Sequence, residues 1–148
     1  MTLTDKIATD LINAMKSKDK TALEALRAAK TAFILARAEK GENSVLTHDE
    51  ELKIIQKLVK QRRESAAIYK ENNRMDLYEK EVSEADVLEK YLPAKLSAEE
   101  LTAVLKEIVA RTGAKSPSDM GKVMGVAARE LAGKADGKEI SDKVRQLL

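Results

Sequence analysis

Ser116-Pro-Ser-Asp-Met-Gly-Lys-Val-Met-Gly-Val-Ala-Ala-Arg-Glu-Leu-Ala-Gly-Lys-Ala-Asp-Gly137 reads as one helix with glycines inside it. Ser116, Pro117 and Asp119 are helix-opening residues, and Gly133 is a helix-closing one. Gly121 and Gly125 fall in the interior, where each costs ~1 kcal/mol relative to alanine. At about 100° per residue, Gly121, Gly125, Ala128 and Ala132 share a stripe almost free of side chains. The core stripe of Met120, Val123, Met124, Ala127 and Leu131 lies beside it, and Lys122 and Arg129 flank its other side. A helix that gives up propensity to present bare backbone between cations suits close approach. The visitor is either a neighbouring helix of the same segment or an outside ligand.

The rest of the chain has the composition of long, solvated helices. Of its 148 residues, 35% are charged and only 3% aromatic, so the cores are built from Leu, Ile, Val, Ala and Met. There is no Cys, and His48 is the only imidazole. This leaves no basis for disulfides, zinc sites or Cys and His nucleophile systems. No cofactor, metal site or catalytic residue is expected. The first twenty residues alternate apolar and charged positions without a signal-peptide core. No stretch approaches the roughly 20 apolar residues that span a bilayer. A cytoplasmic protein without membrane contact is expected.

Net charge is +2, but the bases are uneven: Met15 to Lys40 carries seven Lys or Arg against Asp19, Glu24 and Glu39. Such a run is either a solvated helix face or a footprint for a polyanion.

Thr21–Glu24, Thr47–Glu50, Ser97–Glu100 and Asp136–Glu139 each match a capping box, and no period-2 strand pattern occurs. Ile7, Leu11 and Met15 mark a first helix. Leu23, Leu26, Phe33 and Ile34 mark a second, stopped at Gly41. Leu52, Ile55, Val59, Ala66 and Tyr69 mark a third, stopped near Asn72-Asn73. Tyr78, Ala85, Leu88 and Leu92 mark a fourth, before Pro93. Three short helices follow, the first on Leu101, Val104, Leu105 and Ile108 and the last on Ile140, Val144 and Leu147. The fold class is all-α, with a four-helix N-terminal domain over residues 1–94 and a three-helix domain over residues 95–148.

On the apolar stripe of helix three, Arg62 lies between Val59 and Ala66; Glu81 holds the matching place on helix four. An interhelical Arg62–Glu81 ion pair is expected, with Glu84 as competitor. Phe33, Tyr69, Tyr78 and Tyr91 all sit at core or hairpin positions, which disfavours a base-stacking platform. Folded RNA, recognised by shape and phosphate contact, remains compatible.

The chain resembles the YqeY family (GatB/YqeY-like proteins) along its whole length. The likeness is carried by Lys60-Gln61-Arg62-Arg63-Glu64-Ser65, Tyr69, Arg74, Asp76-Leu77, Glu81 and Leu88. It continues through Tyr91-Leu92-Pro93, Leu96-Ser97, Asp119 to Gly125, and Gly133-Lys134-Ala135-Asp136-Gly137. The resemblance implies two helical domains, the second similar to the C-terminal domain of the B subunit of tRNA-dependent amidotransferases, which contacts the outer corner of tRNA. The tail pattern is matched by Gly121, Met124, Gly133, Lys134, Ala135 and Asp136. The amidotransferase tail often has lysine where Gly125 stands and proline where Gly137 stands.

The expected function is therefore a non-catalytic accessory protein that binds tRNA or other folded RNA. Its contact residues would be Gly121, Lys122, Gly125, Arg129, Gly133, Lys134 and Lys138, with Arg62, Glu81, Tyr91 and Pro93 structural. Two rivals stand beside it. One is a protein-interaction module on the same glycine stripe, with translation or amidotransferase proteins as partners. The other is carbon–nitrogen ligase activity with glutamine as amide donor, dependent on catalytic subunits supplied in trans.

Overall fold

The computed structural model describes all residues, 1–148, and contains seven α-helices, one short 3-10 turn and no strand. The helices are α1 (Leu3–Ser17), α2 (Lys20–Lys40), α3 (His48–Glu71), α4 (Met75–Glu89), α5 (Ala98–Thr112), α6 (Met120–Glu130) and α7 (Gly137–Leu147). The chain divides into two compact units, Met1–Leu92 with α1 to α4 and Pro93–Leu148 with α5 to α7.

In the first unit, Thr2 and Asp5 form a capping box at the start of α1, and Ile7, Leu11 and Ala14 form its buried face. The expected Met15 is 55% exposed, because the i, i+4, i+7 spacing from Ile7 selects Ala14 instead. Lys18 closes α1 in the left-handed conformation (φ 58°), which turns the chain within a single residue. Asp19 is then already extended, and its carboxylate accepts the Ala22 N–H at 3.1 Å. Asp19 therefore caps α2, and the expected cap Thr21 lies inside the first turn. Ala25, Leu26, Ala29 and Phe33 form the buried face of α2, whereas Ile34 is 55% exposed.

A polar clasp joins α2 to α3. Lys40 Nζ donates to Val45 O (2.8 Å) and to Glu50 Oε1 (2.6 Å), and the Thr47 N–H reaches the same carboxylate oxygen. The Lys40 hydrogen bond and the Thr47 groups pull the Glu50 carboxyl from its ordinary 4.5 down to about 2. A depressed carboxyl contributes stability above its ordinary pKa and loses it as pH falls through the folded value. The melting temperature is therefore expected to fall as pH drops from about 4.5 towards 2, less steeply in Glu50→Gln. An acid limb of equal slope in that variant would count against the clasp.

Helices α3 and α4 pack together as a hairpin through Asn72 and the left-handed Asn73 (φ 58°). Arg63 spans the pair, donating to Asp86 at 2.8 Å and Glu89 at 2.5 Å. The buried acid of α4 is Glu84, at 6% exposure; Glu81 is only half-buried. Burial pushes the Glu84 carboxyl upward, and the nearby Arg62 charge opposes that rise. Arg62 Nε is itself buried without a hydrogen-bond partner. At the end of the unit the Tyr91 hydroxyl donates to Asp10 Oδ2 at 2.5 Å, tying the segment after α4 to α1. Burial first, and that bond second, hold the phenol above its ordinary range.

In the second unit, Ser97 and Glu100 form the capping box of α5, and Gly113 ends it with φ 72°. Leu101, Leu105, Ile108, Val123, Ala127, Leu131, Ile140 and Val144 close one small core. Asp136 caps α7 by accepting the Lys138 N–H.

Candidate functional site

The expected contact residues all belong to the second unit, and α6 positions most of them. Ser116 to Asp119 do not form its first α-turn; Pro117–Asp119 make the 3-10 turn that leads into it. The Asp119 carboxylate accepts the Lys115 N–H at 3.0 Å, and this bond first, with the Lys122 charge last, lowers its pKa. Val123 and Ala127 then turn inward, with Met120 and Met124 packed at the edge of the core.

Gly121 and Gly125 face open space. A Cβ added at either glycine meets nothing within 4 Å. Of the two visitors the sequence allows, this rules out a neighbouring helix of the tail, since no side chain or backbone comes close enough to require a missing Cβ. The helix also ends sooner than its pattern suggests, at Glu130 with Leu131 as cap. Ala132 is consequently buried in the following turn and does not extend the exposed stripe. Gly133 lies in that turn with φ 76°, a conformation glycine adopts without a Cβ penalty. The stripe is thus Gly121, Gly125 and the half-buried Ala128.

Because open space surrounds both helical glycines, Gly125→Ala, in the interior of α6, is expected to stabilise the tail by about 1 kcal/mol, and Gly121→Ala, in its first turn, by less. Urea midpoints of the full chain measure this. A drop in midpoint would show that some group does pack on the bare backbone.

On α6, α7 and their caps the acids are engaged internally. Glu130 is gripped by Arg111 in a two-pronged pair, at 2.7 and 2.8 Å, which lowers the Glu130 carboxyl. Glu139 pairs with Lys95 at 3.4 Å, and Asp142 with Arg145 at 3.2 Å. Lys122, Arg129, Lys134 and Lys138 are all exposed, and none makes an ion pair. The Lys134 backbone carbonyl accepts the Leu96 N–H at 3.0 Å, which fixes the loop that carries its side chain. Arg111 and Glu130 stand 19 residues apart on different helices, so no local spacing announces their pair.

The other expected structural residues fall in or beside the first unit. Arg62, Glu81 and Tyr91 belong to it, and Pro93 opens the second. His48 is an exposed first residue of α3. The first unit also holds an open groove of about 520 Å³ lined by Lys6, Asp10, Asn13, Leu26, Val87 and Tyr91. Two of its polar lining residues, Asp10 and Tyr91, are already bonded to each other. No helix is long and apolar enough to cross a membrane.

Residues 4–148 match the family described as Yqey-like protein. The chain is also 30% identical, over 149 aligned positions, to the protein named Altered inheritance of mitochondria protein 41, mitochondrial, of Pyrenophora tritici-repentis (strain Pt-1C-BFP). That alignment covers 97% of this chain and 79% of the relative. With the match running through both units, the chain belongs to the YqeY family.

Proposed function

We propose that the chain is a non-catalytic accessory protein whose tail docks on folded RNA, tRNA foremost, by shape and phosphate contact. One observation carries the reading: the acids Asp119, Glu130 and Glu139 are each engaged, while Lys122 and Arg129 are exposed and unpaired on the helix that carries the open backbone, and Lys134 and Lys138 are exposed and unpaired after it. Unpaired cations attract phosphate without first breaking an internal ion pair. The bare glycine backbone lets a sugar–phosphate ridge approach where a side chain would hold it off. Residence in the cytoplasm is part of the proposal, and fractionation tests it, since the relative's name places that protein in mitochondria.

Titration of the full chain against total tRNA tests the reading. Four phosphate contacts released as counterions predict a loss of roughly 100-fold in affinity between about 50 and 200 mM salt. Lys122→Glu with Lys134→Glu is expected to weaken low-salt binding at least tenfold or so and to flatten the salt slope by about 2. Unchanged affinity in that variant, or no binding at low salt, overturns the tail reading. Salt-insensitive capture of a protein that Gly121→Leu abolishes would replace it with the interaction-module alternative.

A further inference from the structure

We infer that the outer face of α2 is a second phosphate-contact surface, carried by Lys20, Arg27, Lys30 and Arg37. It rests on the reading that the ligand is folded RNA, but it lies in the first unit and uses none of the tail residues. At about 100° per residue, these four cations and Ile34 occupy an arc of about 100° around the helix axis. All five side chains are exposed, and the four cations make no ion pair. From Lys20 to Arg37 the stripe runs about 25 Å, at about 1.5 Å per residue.

The acids that share this stretch are turned away or already occupied. Asp19 spends its carboxylate capping α2 on the Ala22 N–H. Glu24 pairs with Lys80 of α4 at 3.6 Å. Glu39 falls on the opposite side of the helix, about 160° from Arg37. Lys40, beyond the stripe, is held by Glu50 and Val45. The α3–α4 hairpin is arranged in the contrary way. There Arg63 holds Asp86 and Glu89, and Arg74 holds Asp76. An ordinary solvated face interleaves both signs, as that hairpin does. The α2 face keeps one sign over its length.

A phosphate backbone fits this face better than a bilayer surface does. A helix that lies on lipid turns its apolar face outward. The apolar face of α2, made of Ala25, Leu26, Ala29 and Phe33, is spent inside the core. Ile34 is the one exposed large apolar residue of the stripe; Leu23, also on it, is half-buried against the core, and no aromatic ring accompanies them. Cations spaced along a rigid helix instead match a ligand whose charges are themselves spaced along a stiff backbone.

The test uses the full chain with Arg27→Gln, Lys30→Gln and Arg37→Gln combined, and the corresponding triple Glu variant, each checked for unchanged helicity by circular dichroism. Both are titrated against total tRNA over the same salt series, beside Lys122→Glu with Lys134→Glu. Loss of about three phosphate contacts predicts a salt slope shallower by about 2 to 3 and low-salt affinity lower by at least about tenfold. Should the Glu variant fail to fold, the Gln variant decides. If both α2 variants bind as the parent does while the tail variant loses affinity, the α2 inference falls and the tail reading stands. If the α2 variants lose affinity and the tail variant does not, the α2 surface is upheld and the tail placement falls. Absence of tRNA binding by the parent at low salt overturns both. Vesicles of mixed phosphatidylcholine and phosphatidylserine form the last arm. Loss of vesicle binding, with tRNA binding intact in the same α2 variants, overturns the inference in favour of a lipid surface.

Discussion

Leu105→Ala is expected to bring the second unit of this chain to the edge of unfolding. Leu105 is fully buried at the centre of the α5 face, between Leu101 and Ile108, against Val123, Ala127 and Val144. Truncating such a leucine costs about 2–5 kcal/mol, through lost transfer free energy and the cavity left behind. The unit that must absorb this loss is Pro93–Leu148, with one small core. Domains hold roughly 0.05–0.15 kcal/mol per residue, so a unit of about 50 residues has about 3–8 kcal/mol in hand. The loss and the reserve are therefore of the same size. Amide exchange on the full chain should show protection falling by at least about tenfold across α5, α6 and α7 together. Leu105→Met, which conserves volume, should cost less than about 1.5 kcal/mol and retain protection. Native-like protection of the tail in Leu105→Ala would mean that the unit draws stability from more than its own core. The same variant bears on function, because Lys122, Arg129, Lys134 and Lys138 keep their places only while α6 and the turn after it are folded.

The helices were legible because their starts are chemically marked and their apolar spacing is helical. Thr47 and Ser97 form the capping boxes their sequences announce, and Gly41 and Asn72 stand at helix ends. What misled was local pattern where a turn decided the outcome. Thr21 has the right neighbours for a cap, but the left-handed Lys18 hands that task to Asp19. Ala132 has the right phase for the α6 stripe, but the helix has already ended at Glu130. Exposed Met15 and Ile34 show the same limit, since alanines took the core positions that hydrophobicity alone would assign to larger side chains. The openness around Gly121 and Gly125 could not be read from the sequence at all. A glycine stripe looks identical whether a helix fills it or nothing does, and only the tertiary structure separates the two. Charge was half legible. The cations of α2 and α6 are plain in the sequence, but which acids are taken depends on pairs such as Arg111–Glu130 and Lys80–Glu24, made between separate helices.

Glu51 was the most consequential side chain to escape that reading, and its truncation is expected to be the second large loss. The acids at the start of α3 look like ordinary first-turn residues placed there by the helix dipole. Glu51, however, lies four residues before Ile55, on the same stripe that runs to Val59, and it is only 2% exposed. Its Oε2 accepts two bonds from the second residue of α1, the Thr4 N–H at 2.7 Å and the Thr4 hydroxyl at 2.6 Å. That N–H is one of the donors a helix start leaves unsatisfied, so α3 caps α1 across 47 residues of sequence. Glu51→Ala removes both bonds, leaves the half-buried Thr4 N–H without that partner and opens a cavity where the buried side chain stood. A cost of about 3 kcal/mol follows from charge-assisted bonds of about 1.5–3 kcal/mol each, offset by relief of the buried charge. Because one oxygen accepts both bonds, the amide oxygen of Glu51→Gln can keep them. That variant loses the carboxylate's attraction to the α1 dipole and also its desolvation cost. It should therefore remain within about 1 kcal/mol of the parent. Urea denaturation of the two variants separates hydrogen bonding from charge. If Glu51→Ala unfolds at the parent midpoint, the carboxylate is not what secures α1. If Glu51→Gln falls as far as the alanine variant, the charge itself, acting on the first turn of α1, holds the two helices together.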